Sequence, residues 1–168
     1  MLKFLGPLAG SVGITLQLRD LHEQSEENHT MVQELDRCDN IILSRTAWND
    51  CKSKEGEWLN LGAEYRRFRK QSFNKLRNNY VANVLSTLGA ISSTLLSLTT
   101  KNPAPSLYVG SASTIIGSVA VVKDAWDKRN ISNKIGEYDY RSHNLWMKKC
   151  EDEEDTGYIP EGGGGTVL

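Results

Sequence analysis

NNYVANVLSTLGAISSTLLSLTT (residues 78–100) and NPAPSLYVGSASTIIGSVAVV (residues 102–122) are two uncharged runs separated by Lys101. From Arg77 to Lys123 the chain has 45 intervening residues, and Lys101 is their single charge. As α-helix, a run of ~21 residues is about 31 Å long, close to the hydrocarbon thickness of a bilayer. Pro103 and Pro105 lie between the runs, and the residue before a proline is biased away from helix. The stretch therefore predicts a helical hairpin of spanning length. It is not uniformly apolar, since nine of the 21 residues from 80 to 100 are Ser, Thr or Asn. Such a hairpin is expected to have two homes, a protein core and a bilayer.

Helical spacing continues on both sides. Trp58, Leu61, Tyr65, Phe68, Ser72, Leu76 and Tyr80 follow three- and four-residue steps into Val81, Val84, Leu88, Ile91, Leu95 and Leu98. This predicts one helix over 57–100, the longest in the chain. A return helix over 106–135 and a short helix over 138–150 should follow. On the return helix Gly110, Ser113 or Thr114, Gly117 and Ala120 share a face, a small-residue ridge that admits a close neighbour. Gly89 is expected to mark a similar contact on the outgoing helix, and Ile115, Ile116, Val119 and Val122 supply the apolar faces. Upstream, Ile14, Leu18, Leu21, Val32, Leu35 and Ile42, with Ser25, Asn28 and Asp39 between them, predict a helix over 14–49 with a partly polar seam. Asn49, Asp50 and residues 52–56 break it. Residues 1–13 read as a glycine-broken apolar arm rather than a cleaved leader. Residues 151–168 read as a flexible acidic, glycine-rich tail. The expected fold class is all-α: one elongated helical bundle over 1–150 around a central uncharged hairpin.

The net charge of −1 conceals a strong asymmetry. Residues 1–63 hold six basic and ten acidic groups, residues 64–150 fourteen and five, and residues 151–168 none and six. Arg66, Arg67, Arg69, Lys70, Lys75 and Arg77 precede the hairpin, and Lys123, Lys128 and Arg129 follow it. Cations at both ends of the hairpin favour one membrane face for both, which makes these nine residues candidate contacts for anionic headgroups. The competing reading is that the acidic ends pair with the basic middle inside the fold. Nucleic-acid phosphates would also suit a basic helix, but they leave the hairpin unexplained.

Catalytic patterns are not evident. His22 and His29 stand seven apart, not at the four-residue spacing of a helical metal pair, and His143 stands alone. Gly162 to Gly165 lack the Lys-Ser/Thr of a phosphate loop. The sequence thus predicts a non-enzyme without cofactor, metal or small-molecule substrate. Cys38, Cys51 and Cys150 have no Cys-x-x-Cys spacing; they fit one disulfide in an exported protein and three thiols otherwise.

Residues 75–93, KLRNNYVANVLSTLGAISS, resemble the start of the apolipoprotein L membrane-inserting region. There a basic helix runs into a Val/Ile-Ala-Asn-Val stretch rich in Ser, Gly and Ala, matched here by Val81-Ala-Asn-Val84 with Ser86, Gly89, Ala90 and Ser93. The likeness covers about residues 64–130 and takes in Pro103, Pro105 and the return run to Val122. Lys101 in the turn and a return run poorer in glycine depart from that pattern. The resemblance implies a helical domain that inserts a hairpin into lipid and conducts ions.

Three functions fit these observations. The leading one is a membrane-associated channel or pore former that docks on anionic lipid, inserts residues 78–122 and homo-oligomerises. The second is a structural or assembly protein, a virion component or ejected channel subunit, that oligomerises through small-residue faces. The third is a soluble adaptor, which would bury Leu88, Ile91, Leu95, Ile115 and Val119 within a monomer.

Overall fold

The computed structural model describes residues 5–48, 54–99 and 104–154, with side chains for 14–48, 54–99 and 104–147. Three helices follow one another: α1 (Leu5–Ala47), α2 (Glu55–Thr99) and α3 (Ala104–Glu154), of 43, 45 and 51 residues. Among the described residues there is no strand. The helices form an elongated bundle. Glu27 meets Lys128 and Arg45 meets Asp139, so α1 and α3 run parallel. Asn83 meets Gln24 and Arg69 meets Asp36, while Asn79 meets Asp127 and Glu64 meets Arg141, so α2 runs antiparallel to both. At ~1.5 Å per residue, α3 is a rod about 75 Å long.

Several boundaries differ from expectation. The chain is already helical at Leu5, so residues 5–13 extend α1 instead of forming an arm. Pro7 causes no conflict because it falls in the first turn, where its missing N–H has no intrahelical role. The separate helices expected over 106–135 and 138–150 are one helix, which makes α3 the longest and not α2. Gly136 sits in its interior. A mid-helix glycine costs only about 1 kcal/mol, and its neighbours Ile135 and Tyr138 pack into the core. The helix also runs to Glu154, four residues into the expected tail; residues 155–168 lie outside the described part.

The basal half of the rod has a conventional core. Cys38 and Ile42 of α1, Trp58, Leu61 and Tyr65 of α2, and Tyr138 of α3 form one cluster, and Leu35, Leu76 and Ile131 form the next. Burying each large side chain contributes about 1.5–3 kcal/mol. Tyr65 is 0% exposed and donates its hydroxyl to the Leu35 carbonyl at 2.7 Å. Its ring lies 5.1 Å edge-on from Tyr138 and 5.9 Å from Phe68, tying α2 to α3 through an aromatic cluster. Cys38 is a free, buried thiol, and burial pushes its pKa up; Cys51 and Cys150 lie outside the described side chains.

The α1 seam shifts relative to the expected one. Gln24 and Cys38 are buried where Ser25 and Asp39 were expected, and Leu18 is half exposed. Residues 14, 17, 21, 24, 28, 31, 35, 38 and 42 form the inward row, one regular heptad. The shift brings Met31 and Cys38 inward beside Leu35 and leaves the acidic Asp36 and Asp39 on the flank, beside Arg69.

Candidate functional site

Beyond Leu76 the bundle changes character. The apolar stripe of α2 does not continue as core. The inward positions become Asn79, Ser86 and Thr87, facing Ser106, Ser113 and Ala120 of α3. Ser86 Oγ donates to the Ser113 carbonyl and Ser93 Oγ to the Ser106 carbonyl, both at 2.6 Å. These hydroxyls reach a neighbouring backbone because glycine brings the helices together. A Cβ on Gly89 would stand 2.7 Å from Ser113 Cβ, one on Gly110 would stand 2.7 Å from Ser93 Oγ, and one on Gly117 would strike Ser86 Oγ.

The bulky residues face outward instead. Val81, Leu85, Leu88, Leu95, Leu98, Leu107, Ile116 and Val119 are exposed, Ile115 is 65% exposed and Val122 is 72% exposed. Val84 and Ile91 are half-buried. Pro105 is exposed in the first turn of α3, and Pro103 lies outside the described residues. Hydroxyls away from the seam are not left to water. Ser92, Thr94 and Thr99 donate to the carbonyls of Leu88, Ala90 and Leu95, and Thr114 and Ser118 to those of Gly110 and Thr114. Such back-bonding to the preceding turn conceals the polarity of the side chain.

A polar belt crosses all three helices where the uncharged runs begin. Asp127, on α3, accepts from Asn79 Nδ2 at 2.9 Å and from Lys123 Nζ at 3.1 Å, with Lys75 Nζ at 3.8 Å. Lys123 Nζ also donates to Asn79 Oδ1 at 2.8 Å. Burial would raise the Asp127 carboxyl, but the hydrogen bonds from Asn79 and Lys123 and the charges of Lys123 and Lys75 hold it below its usual range. Lys128, 12% exposed at its side chain, joins Asp124 at 2.7 Å to Glu27 at 2.6 Å. Asn83 donates to Gln24 of α1 at 2.7 Å. Asparagines and carboxylates were not singled out by their spacing in the sequence; they become visible as a site only once three helices bring them together.

The nine candidate cations divide into two groups. Arg69 is held by Asp36 and Asp39, Lys75 and Lys123 by Asp127, and Lys128 by Asp124 and Glu27. For these four the fold uses the charge internally; Arg69 and Lys128 pair with the acidic N-terminal part, whereas Lys75 and Lys123 pair with Asp127 inside the basic middle itself. Arg67, Lys70, Arg77 and Arg129 are exposed with no ion pair among the described residues, and exposed Arg66 donates only to its own helix at Gly62. Arg66, Arg67 and Lys70 lie ~10–17 Å along the axis from Arg77, so Arg77 and Arg129 are the free cations nearest the belt.

By length and composition, α2 and α3 are each apolar enough to cross a membrane, and little of either apolar window is buried. Compared with known proteins, the chain matches no family model, no curated protein and no solved structure.

Proposed function

We propose that the chain is a membrane-inserting helical-hairpin protein whose apical half, residues 78–122, enters an anionic bilayer while the basal half stays in water. The carrying observation is the inversion of the apical half. Its small and hydroxylated residues form the seam, its Leu, Ile and Val side chains form the surface, and its outward hydroxyls bond their own helix. A backbone and side-chain set satisfied from within is what hydrocarbon demands. Two exposed aromatics add to this. Tyr108 near the turn and Trp126 at the belt are 77% and 67% exposed, and 18 residues of helix set them ~27 Å apart, matching the two interfacial levels where such rings settle. The likeness of residues 64–130 to the apolipoprotein L region points the same way.

The soluble adaptor would need Leu88, Ile91, Leu95, Ile115 and Val119 inside; Ile91 is half-buried and the other four are exposed. Insertion requires the N-terminal half of α1 to leave the hairpin, because Asp20, Glu23, Glu26 and Glu27 cannot follow it into lipid. The contact it breaks there is polar, made largely by Gln17, Gln24 and Asn28. The finer proposal is that several inserted hairpins associate and conduct ions, with the hydroxyl seam supplying polar lining. The assembly reading draws on the same apolar surface, covered by further copies instead of lipid.

Flotation with liposomes separates these readings. The protein is expected to float with anionic vesicles, less so as salt rises. Replacing Arg66, Arg67 and Lys70 by Gln should weaken low-salt binding by about 1 kcal/mol per cation. Ile115→Asp with Val119→Asp should keep the folded circular dichroism spectrum yet stop insertion, each charge costing about 2.5–3.5 kcal/mol at mid-helix. Dye or ion release from the same vesicles reports the pore. A protein that stays with the pellet at neutral and acidic pH, and forms a discrete oligomer that the double variant dissolves, would establish assembly instead.

A further inference from the structure

The inward row of α1 changes chemistry at one point. From Met31 onward it holds Met31, Leu35, Cys38 and Ile42, which pack into the two core clusters. From Ile14 to Asn28 it holds Gln17, Leu21, Gln24 and Asn28 after Ile14, and Gln24 alone is buried in that segment. Gln17 Oε1, Gln24 Nε2 and Asn28 Oδ1, with Asp124 Oδ1 on α3, are enclosed without a hydrogen-bond partner. The basal half has one such atom among the described residues, Trp58 Nε1. All four are shut in too closely for water to reach them, so the closed contact carries their desolvation cost and opening relieves it. A gap of about 530 Å³ between the segment and the hairpin removes packing as well. Two side-chain links cross that gap: Asn83 Nδ2 to Gln24 Oε1 at 2.7 Å and Lys128 Nζ to Glu27 Oε2 at 2.6 Å.

We propose that residues 14–28 are an autoinhibitory strap, which opens down to Asn28 while the base stays folded and which an anionic surface releases. The proposal rests on the insertion reading above, because what the strap withholds from lipid is the hairpin. The strap carries Asp20, Glu23, Glu26 and Glu27 against Arg19, and Arg19 is already paired with Glu23. An anionic surface therefore repels the strap as a whole. Lys128 is the clasp. It bridges Glu27 of the strap and Asp124 of its own helix, so a lipid phosphate can take the place of Glu27 without leaving the ammonium unpaired. A neutral surface neither repels the strap nor competes for the clasp. The same contact thus keeps the hairpin covered in water and yields where the hairpin can enter.

Hydrogen–deuterium exchange of the full chain in water is the first measurement. A detached segment of this length is marginal as a helix, so amides 17–28 should exchange at least ~100-fold faster than amides 35–42. Glu27→Gln, at a mostly exposed position, leaves Lys128 paired with Asp124 and should quicken strap exchange severalfold without altering the base. Gln17→Leu with Asn28→Leu removes two stranded oxygens and should slow it. The three proteins are then floated with phosphatidylcholine vesicles containing a graded share of phosphatidylserine, and a high-salt wash separates inserted from docked protein. Glu27→Gln should insert at a lower phosphatidylserine share than the native chain. The leucine variant should need a higher one, the reverse of what a more apolar segment alone would give. Equal exchange in strap and base, or one common threshold for all three proteins, would overturn the inference. If none of the three inserts at any share, the insertion reading falls instead, and the exchange contrast alone decides whether the strap opens.

Discussion

In the basal half, Tyr65 and Ile131 are enclosed on every side, whereas a few turns further along the same helices Ile115 and Val122 stand open and serines fill the axis. The two halves share their helices, their heptad-like spacing and their antiparallel hairpin, yet they place volume oppositely. In the base, large side chains hold the helices apart and exclude water. In the apex, glycine and serine draw α2 and α3 together until hydroxyls reach carbonyls of the neighbouring helix. The lesson is that a regular inward spacing fixes which residues meet, and the size of those residues fixes which solvent suits the outside. The belt of Asn79, Lys123 and Asp127 marks the changeover.

The largest effect should come from the base. Trp58→Ala removes a side chain 1% exposed from the main cluster and should cost about 3–5 kcal/mol, whereas Ile115→Ala in the apex should move solution stability by less than ~0.5 kcal/mol. Urea unfolding of both variants measures the contrast, and equal losses would abolish it. Next in size is the seam itself. Gly117→Leu drives a side chain into Ser86 and should cost about 1–3 kcal/mol through overpacking, while Val121→Leu on the exposed flank should be nearly neutral. If the two variants melted alike in thermal denaturation, the close approach of α2 and α3 would be refuted.

The apical stripe was legible in the sequence as helix and illegible as orientation. Leu88, Leu95 and Leu98 continue the step of Trp58, Leu61 and Tyr65, so periodicity alone extends the core through them. Through Leu76 the inward row follows the expected stripe; beyond it the row steps three residues to Asn79 and on to Ser86, whereas the apolar stripe steps four to Tyr80 and Val84, and that difference leaves the leucines outward. Gly89, Gly110 and Gly117 were identifiable because small residues on one face have few other uses. The belt was not, since Gln24, Asn79 and Asp127 come from three helices and carry no local spacing signal. Arg69 looked like a surface cation because its partners, Asp36 and Asp39, are distant in the chain, and Lys128 because Glu27 is, although Asp124 stands one turn away on the same helix.

The smallest effect sharpens the border between the halves. The folded-state pKa of Asp127 is depressed, so its contribution to stability is complete above the ordinary carboxylate range, about 3.9, and disappears as pH falls through the lower folded value. Asp127→Asn should therefore be less stable than the native chain at pH 7, with the difference closing in acid. Melting temperatures of both proteins from pH 7 down to pH 2 give the measurement. A constant difference across that interval would mean that Asp127 serves the belt by shape and not by charge.

The parallel course of α1 and α3 gives the molecule a direction. Glu27 lies beside Lys128 and Arg45 beside Asp139, so Leu5 opens α1 at the level of the hairpin turn, while Glu154 closes α3 at the opposite end. With ~1.5 Å of rise per residue, the two ends of the described chain are about 75 Å apart. They are therefore unequal as handles. Cargo joined ahead of Leu5 would sit beside the hairpin turn, while cargo joined beyond Glu154 would sit at the far, basal end of the bundle.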